Sequence, residues 1–274
     1  YVTINHINIT PIYLYLNMSM LNEYFTLYHK YCEEYGDKTI LLYQVGAFFE
    51  VYTKVDKETK EVTDENILLY KQCASLNLAY KTENTLMLGF RDYMIDSYLN
   101  KILNAEFTAV VYKQDKNEPN TTRSLQAIYS PGSYLKPEDL SSGSGCSMSN
   151  NSMCIWIHHT GNMLIIGISA FDVISGASYI FEAVIEGEMA SSKKLIRCPT
   201  SYDELERYIS THNPSEVVVV SNLHEDELSM IENYINLQGR KVHHKKEGEY
   251  ERVINAEKQI YQKEVVEECF GNVI

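Results

Sequence analysis

The chain has 274 residues, 45% of them hydrophobic, which is enough for two domains with a core each and too apolar for a largely disordered polypeptide. Its formal net charge of −13 argues against a general nucleic-acid binder. The acidity is uneven: residues 1–130 carry 12 basic and 16 acidic side chains, and residues 131–274 carry 12 and 21. If DNA is touched, the first half is the better candidate, through a local basic rim, and the second half reads as a spacer or protein-contact module.

No apolar run approaches the ~20 residues that a membrane-spanning helix needs. Residues 1–20 lack the basic start and apolar core of a secretory signal. Cysteines stand at 32, 73, 146, 154, 198 and 269, none in a Cys-x-x-Cys pair, which fits a reducing, intracellular compartment better than a zinc site. The 22 tyrosines against one tryptophan read as codon composition more than function.

Along the chain, Thr10-Pro11 is a helix start. Leu21, Tyr24, Phe25, Tyr28, Tyr31 and Cys32 continue it as an apolar stripe, and Gly36-Asp37 ends it. The stretch Leu41-Leu42-Tyr43-Gln44-Val45-Gly46-Ala47-Phe48-Phe49-Glu50-Val51-Tyr52 then begins as an apolar β run and pauses at Gly46, where a turn or close backbone approach is expected. Neighbouring side chains on a strand point opposite ways, so Phe48 and Phe49 cannot share a face. Phe49 is expected in the core. Phe48, with Glu50 on its side of the strand, is expected on a different surface, where a ring and an acceptor carboxylate can meet a flat ligand. The plainer alternative is a buried strand with two core rings and a solvated Glu50.

A charged loop over 54–65 precedes a short helix near 66–75. Strands over 76–80 and 86–90 flank the turn 81–84. Ile95, Tyr98, Leu99 and Ile102 form a helical face, and 107–112 is a further strand. The mixture predicts a compact α/β domain with a mixed sheet. A Ser/Gly-rich stretch over 141–149 marks a linker. Beyond it, strands over 154–159, 163–170 and 177–184 precede a helix carrying Leu205, Tyr208 and Ile209. A buried strand over 217–220, a helix over 225–237 ended by Gly239, and a strand over 241–244 complete a βββαβα order.

These features, in one order along nearly the whole chain, resemble the MutS family of DNA mismatch repair proteins. The family has a Thr-Pro opening, matched by Thr10-Pro11. Its Gly-Asp-Phe-Tyr-Glu motif is matched by Gly46, Phe48 and Glu50, with Ala47 and Phe49 as departures. Gly89, Tyr98, Leu99, Val110 and Gln114 fit its next stretch, whereas Arg91 stands where Pro is usual and the Gly before the last strand is missing. Ser130-Pro131-Gly132-Ser133 is similar to its Thr-Pro-Gly-Thr, and Asp172…Ser175-Gly176 to its Asp-x-Ser-x-Gly.

The resemblance implies an α/β (α+β) chain: a mixed-sheet mismatch-recognition domain over 1–131, a linker over 132–152, and a ribonuclease-H-like connector domain over 153–274. It implies that Phe48 enters the minor groove and stacks on a mispaired base while Glu50 accepts a hydrogen bond from it, with Gly46 and Phe49 structural. Lys81 and Arg91, on turns near the motif, are candidates for DNA backbone contacts. The expected partners are mismatched double-stranded DNA, a homo- or heterodimer mate held by C-terminal domains outside this chain, and a downstream repair protein at the connector. No membrane is expected, and the expected location is intracellular, at DNA. The chain resembles an N-terminal fragment of a longer ATPase, so ATP and magnesium are expected for the full-length protein, and no cofactor, metal or catalytic residue for this part.

Two other classes compete. A ribonuclease-H-like nuclease would need several acids converging on metal ions, and Asp172, Glu182, Asp203 and Glu204 do not assemble into such a set from the sequence. They read as turn, cap and surface residues. His158-His159 and His243-His244 are adjacent on strands and face opposite ways, which disfavours a shared metal. There is no Gly-x-x-x-x-Gly-Lys-Ser/Thr phosphate loop. The third class is a protein-interaction module without DNA binding.

Overall fold

The computed structural model of the chain describes residues 10–56, 58–59, 61–115, 122–135, 149–187, 192–248, 254–256 and 258–270. Most of the expected linker, 136–148, lies outside the described residues. The chain divides into two compact units, Tyr1–Lys136 and Pro137–Ile274.

In the first unit a helix α1 (Thr10–Tyr35) is followed by β1 (Thr39–Val45), β2 (Phe48–Lys54), α2 (Glu65–Ala74), β3 (Ala79–Thr82) and β4 (Thr85–Arg91). Then come α3 (Ile95–Asn104), β5 (Thr108–Gln114) and β6 (Arg123–Tyr129). The strands form one sheet in the order β3-β4-β2-β1-β5-β6, with β1 and β5 parallel and every other pair antiparallel.

Both faces of this sheet are covered. Ile40, Leu42, Phe49, Val51, Leu88 and Phe90 pack with Ile67 and Tyr70 of α2 and Leu99 and Ile102 of α3. On the opposite face Leu41, Tyr43, Tyr52 and Tyr112 meet Leu21, Tyr24, Tyr28 and Tyr31 of α1. A strand covered on both sides reads as an unbroken apolar run, which is why β1 is so plain in the sequence. Asp64 ties the layers together. It caps α2 by accepting from the Asn66 and Ile67 amides, and its second oxygen accepts from the Tyr28 hydroxyl at 3.1 Å.

The second unit contains β7 (Asn151–Thr160), β8 (Met163–Asp172), β9 (Ser178–Glu186), α4 (Ser192–Arg197), α5 (Asp203–His212), β10 (Glu216–Ser221), α6 (Glu225–Tyr234), β11 (Lys241–Lys246) and α7 (Gln259–Phe270). Its sheet order is β11-β10-β7-β8-β9. The pairs β7–β8 and β8–β9 are antiparallel, and β7–β10 and β10–β11 are parallel. One face, with Ile155, Ile157, Ile166, Ile168 and Val219, packs against Leu205 and Ile209 of α5 and Ile231 of α6. The helix expected over 225–237 stops at Tyr234, ahead of Gly239, because Asn236 already takes a left-handed conformation (φ 54°).

Two stability predictions come from these layers. Phe49 is 1% exposed and its ring lies 5.8 Å from that of Phe90. Phe49→Ala is expected to cost about 3–5 kcal/mol through the cavity it opens, read as a fall in melting temperature of more than about 10 °C. In the second unit His244 Nε2 meets Glu232 Oε1 at 2.5 Å, and this hydrogen bond raises the imidazole above its ordinary value. A raised folded value means that the stabilisation is complete below pH 6.5 and is lost as pH climbs through the raised value. With half the ring exposed, it amounts to less than about 1 kcal/mol. The melting-temperature gap between wild type and His244→Gln should therefore be largest near pH 5.5 and close on alkaline titration. A gap that widens with pH would contradict the assignment.

Candidate nucleic-acid interface

The stretch 41–52 folds as a tight hairpin, β1 and β2 joined through Gly46-Ala47. Gly46 has φ +60°, a conformation that a Cβ would strain. Its amide donates to Gln114 Oε1 at 3.0 Å, the Gln114 amide donates to Gln44 Oε1 at 3.0 Å, and Gln44 Nε2 donates to the Gly46 carbonyl at 3.2 Å. On the other side the Asp92 amide donates to the Ala47 carbonyl at 2.9 Å. The hairpin tip is thus stitched to β5 through two glutamines and to the end of β4 through backbone.

Phe48 follows the turn and pairs with Arg91 across β2 and β4. Its ring is 41% exposed, against 1% for Phe49, so the two rings part as alternation requires. The Arg91 guanidinium carbon stands 5.5 Å from the Phe48 ring centroid, so this cation lies against the exposed ring.

Glu50 departs from the expectation of a surface carboxylate: it is only 7% exposed. Tyr52, two residues on and on the same face, lies in the α1 layer with its ring 4.8 Å from that of Tyr24. The Tyr52 hydroxyl donates to Glu50 Oε2 at 2.5 Å, and Lys81 Nζ donates to the same oxygen at 2.8 Å. Burial, and then the hydrogen bond to Glu50, push the Tyr52 phenol far above its ordinary value, so it keeps its proton and acts as the donor. Lys81 Nζ also lies 5.6 Å from the Tyr52 ring centroid. Lys81 sits where the β3–β4 register shifts between Tyr80 and Thr82, an irregularity of the kind that re-aims a side chain. Opposite Glu50 on β4 is Gly89, where an added Cβ would come within 3.1 Å of the Phe49 carbonyl and 3.5 Å of Glu50 Cγ.

The two basic candidates are therefore partners of the motif itself, Lys81 of Glu50 and Arg91 of Phe48. Sequence reasoning missed Tyr52 as a donor, although its place two residues after Glu50 was the available signal, and it missed Gln44 as the brace of the turn.

The acids considered for metal chemistry are spread apart. Asp172 accepts from the Asn150 and Ile174 amides at 2.9 and 3.1 Å and from Ser175 Oγ at 2.5 Å, closing a turn. Burial opposes its ionisation, but these hydrogen bonds outweigh burial and hold the carboxyl below the usual range. Glu182 is exposed on β9, Asp203 bonds the Tyr234 hydroxyl, and Glu204 pairs with Arg207 at 3.1 Å. His158 and His243 meet Glu247 and Glu216 at 2.8 and 2.6 Å. Among the described residues no three His, Cys, Asp or Glu side chains gather to hold a metal ion. No helix among them is long and apolar enough to cross a membrane.

The family model for MutS domain I matches residues 20–138. The mutS homolog L359 of Acanthamoeba polyphaga mimivirus is 25% identical over 232 residues, which cover 78% of this chain and 19% of the relative. The chain thus spans about a fifth of the length of that relative. Among solved structures, Marinitoga piezophila Argonaute with a guide RNA matches at TM-score 0.25 and 21% identity, covering 35% of this chain and 16% of that one. T. thermophilus RuvC with a Holliday junction matches at 0.24 and 11%, covering 35% and 64%. An Aquifex aeolicus Ppx/GppA protein matches at 0.26 and 14%, covering 40% and 40%. At such scores these likenesses carry no argument. The unit that holds the Gly46–Glu50 hairpin is similar to MutS domain I, and the chain as a whole is similar to a mutS homolog.

Proposed function

We propose that this chain reads mismatched DNA for a longer mismatch repair protein, with Phe48 as the wedge and Glu50 as the acceptor that meets the base. The observation that carries the reading is the parting of the two rings: Phe48 is 41% exposed at a braced hairpin tip, while Phe49 is sealed in the core. An inserted ring must unstack a base step, at a cost of a few kcal/mol that is lower at a mispair. Stacking returns roughly 1–3 kcal/mol per base. The balance is therefore close, and a mismatch tips it. Arg91, beside the ring, enters the groove with it and meets the phosphate backbone.

The second unit is read as the connector. Three antiparallel strands followed by two parallel ones, in the order β9-β8-β7-β10-β11, support a ribonuclease-H-like fold. A protein-contact role for this unit is supported by the exposed apolar side chains Phe171, Tyr179, Ile180 and Val184 on β8 and β9, and a downstream repair protein is the partner assigned to it. ATP, magnesium and the dimer contact are assigned to parts of the protein outside this chain.

The test is Phe48→Ala in the full-length gene product, with affinity measured on matched and single-mismatch duplexes. The mismatch preference is expected to fall by about 10- to 100-fold, the equivalent of one lost stack. The melting temperature should stay within a few degrees of wild type. Early melting with recognition intact would mean that the roles of the two rings are exchanged. Unchanged recognition and unchanged melting would remove the wedge.

A further inference from the structure

Lys81 has two possible uses near a DNA-reading hairpin: it can reach out to a phosphate, or it can serve the carboxylate beside it. The geometry points to the second, and we propose that Lys81 and Tyr52 are the positioning residues of the base-reading carboxylate of Glu50. The inference rests on the reading of Glu50 given above and specifies how that site selects its ligand.

Both donors converge on one oxygen. Lys81 Nζ lies 2.8 Å and the Tyr52 hydroxyl 2.5 Å from Glu50 Oε2. One bond is charge-assisted and the other comes from a phenol that stays protonated. Together they fix the rotation of the carboxylate plane and assign Oε1 to the ligand. A carboxylate held in this way is an acceptor only, so it retains bases that present an N–H to it and rejects those that present a lone pair.

Three further features fit this use. The Tyr52 ring is itself clamped by Tyr24 at 4.8 Å, so the hydroxyl is a fixed reference point. Lys81 is placed by the register irregularity between β3 and β4, not by an open loop. Gly89 leaves the space opposite Glu50 in which its side chain turns toward the donors. A phosphate role would pull Lys81 away and leave a nearly buried carboxylate without its cation, which is strongly unfavourable.

The test uses the full-length gene product and fluorescence anisotropy on labelled matched and single-mismatch duplexes over a range of salt. Lys81→Met is expected to lower the mismatch-to-match affinity ratio about tenfold. Affinity for matched DNA and the slope of log affinity against log salt should stay as in wild type. Lys81→Arg should restore most of the ratio. Tyr52→Phe, which keeps the ring and removes only the hydroxyl, should lower the ratio in the same direction and guards against a Lys81→Met protein that does not fold. In a Glu50→Ala background, which removes the buried charge, Lys81→Met should change nothing further, because its effect passes through Glu50.

The proposal is overturned if Lys81→Met weakens matched and mismatched DNA alike and flattens the salt slope by about one, the signature of a phosphate contact. It is equally overturned if the loss persists in the Glu50→Ala background. If Phe48→Ala abolishes mismatch preference while Lys81→Met and Tyr52→Phe leave it intact, this inference alone falls. If wild type shows no mismatch preference, the reading of the site falls with it.

Discussion

Two adjacent phenylalanines on one strand cannot enter the same core, and the geometry of the hairpin follows from that. β2 lies inside a sheet covered on both faces, so Phe49 has a cavity to fill among Ile40, Leu42, Val51 and Phe90. Its burial fixes the rotation of the strand, and with the rotation fixed Phe48 must turn to the α1 side. Tyr52 is 1% exposed, Glu50 is 7% exposed and Phe48 is 41% exposed, so burial along this face decreases towards the hairpin tip. The exposed ring stands at the least covered end of this face.

That covering layer is built from tyrosines. Tyr24, Tyr28 and Tyr31 of α1 meet Tyr43, Tyr52 and Tyr112 of the sheet. Leucines would fill the same volume, but tyrosines carry hydroxyls that must be satisfied when buried. Tyr31 and Tyr112 bond each other at 2.9 Å, Tyr28 bonds the capping Asp64, and Tyr52 bonds Glu50. The layer therefore holds fixed donors inside an otherwise apolar interface, and one of them addresses the motif's carboxylate. The tyrosine excess, read from composition as a codon effect, has a structural use at Tyr28, Tyr31, Tyr52 and Tyr112.

The parts of the fold that were legible in the sequence are those set by local period. Leu21, Tyr24, Tyr28 and Tyr31 declare α1, and the apolar run that opens at Leu41 declares a strand. Legibility falls where an apolar residue packs without being in an element. Leu76 and Leu78 suggested a strand over 76–80, yet they lean on the core from the segment before β3, which begins at Ala79. The short α4 and the terminal α7 carry no strong apolar stripe and were not anticipated. At the site, alternation sufficed to separate Phe48 from Phe49 because it is a property of one strand. The burial of Glu50 was not legible, because Lys81 reaches it from β3 with β4 lying between, and the register irregularity that aims Lys81 is not visible in a single sequence.

On the proposed reading, the hairpin divides discrimination between two groups that respond to different properties of a base pair. A ring stacks on any base, so Phe48 reports how readily a step unstacks and says nothing about which bases are present. A fixed acceptor oxygen reports whether a base edge offers a hydrogen, and says nothing about stacking. A matched pair fails the first test because its step resists kinking. An unstacked base with a lone pair towards Oε1 fails the second, and leaves a nearly buried carboxylate facing an acceptor. Neither group supplies much affinity, since one ring and one hydrogen bond are small against the repulsion between DNA and a chain of net charge −13. A hairpin built this way is suited to interrogating DNA that other parts of the protein hold in place.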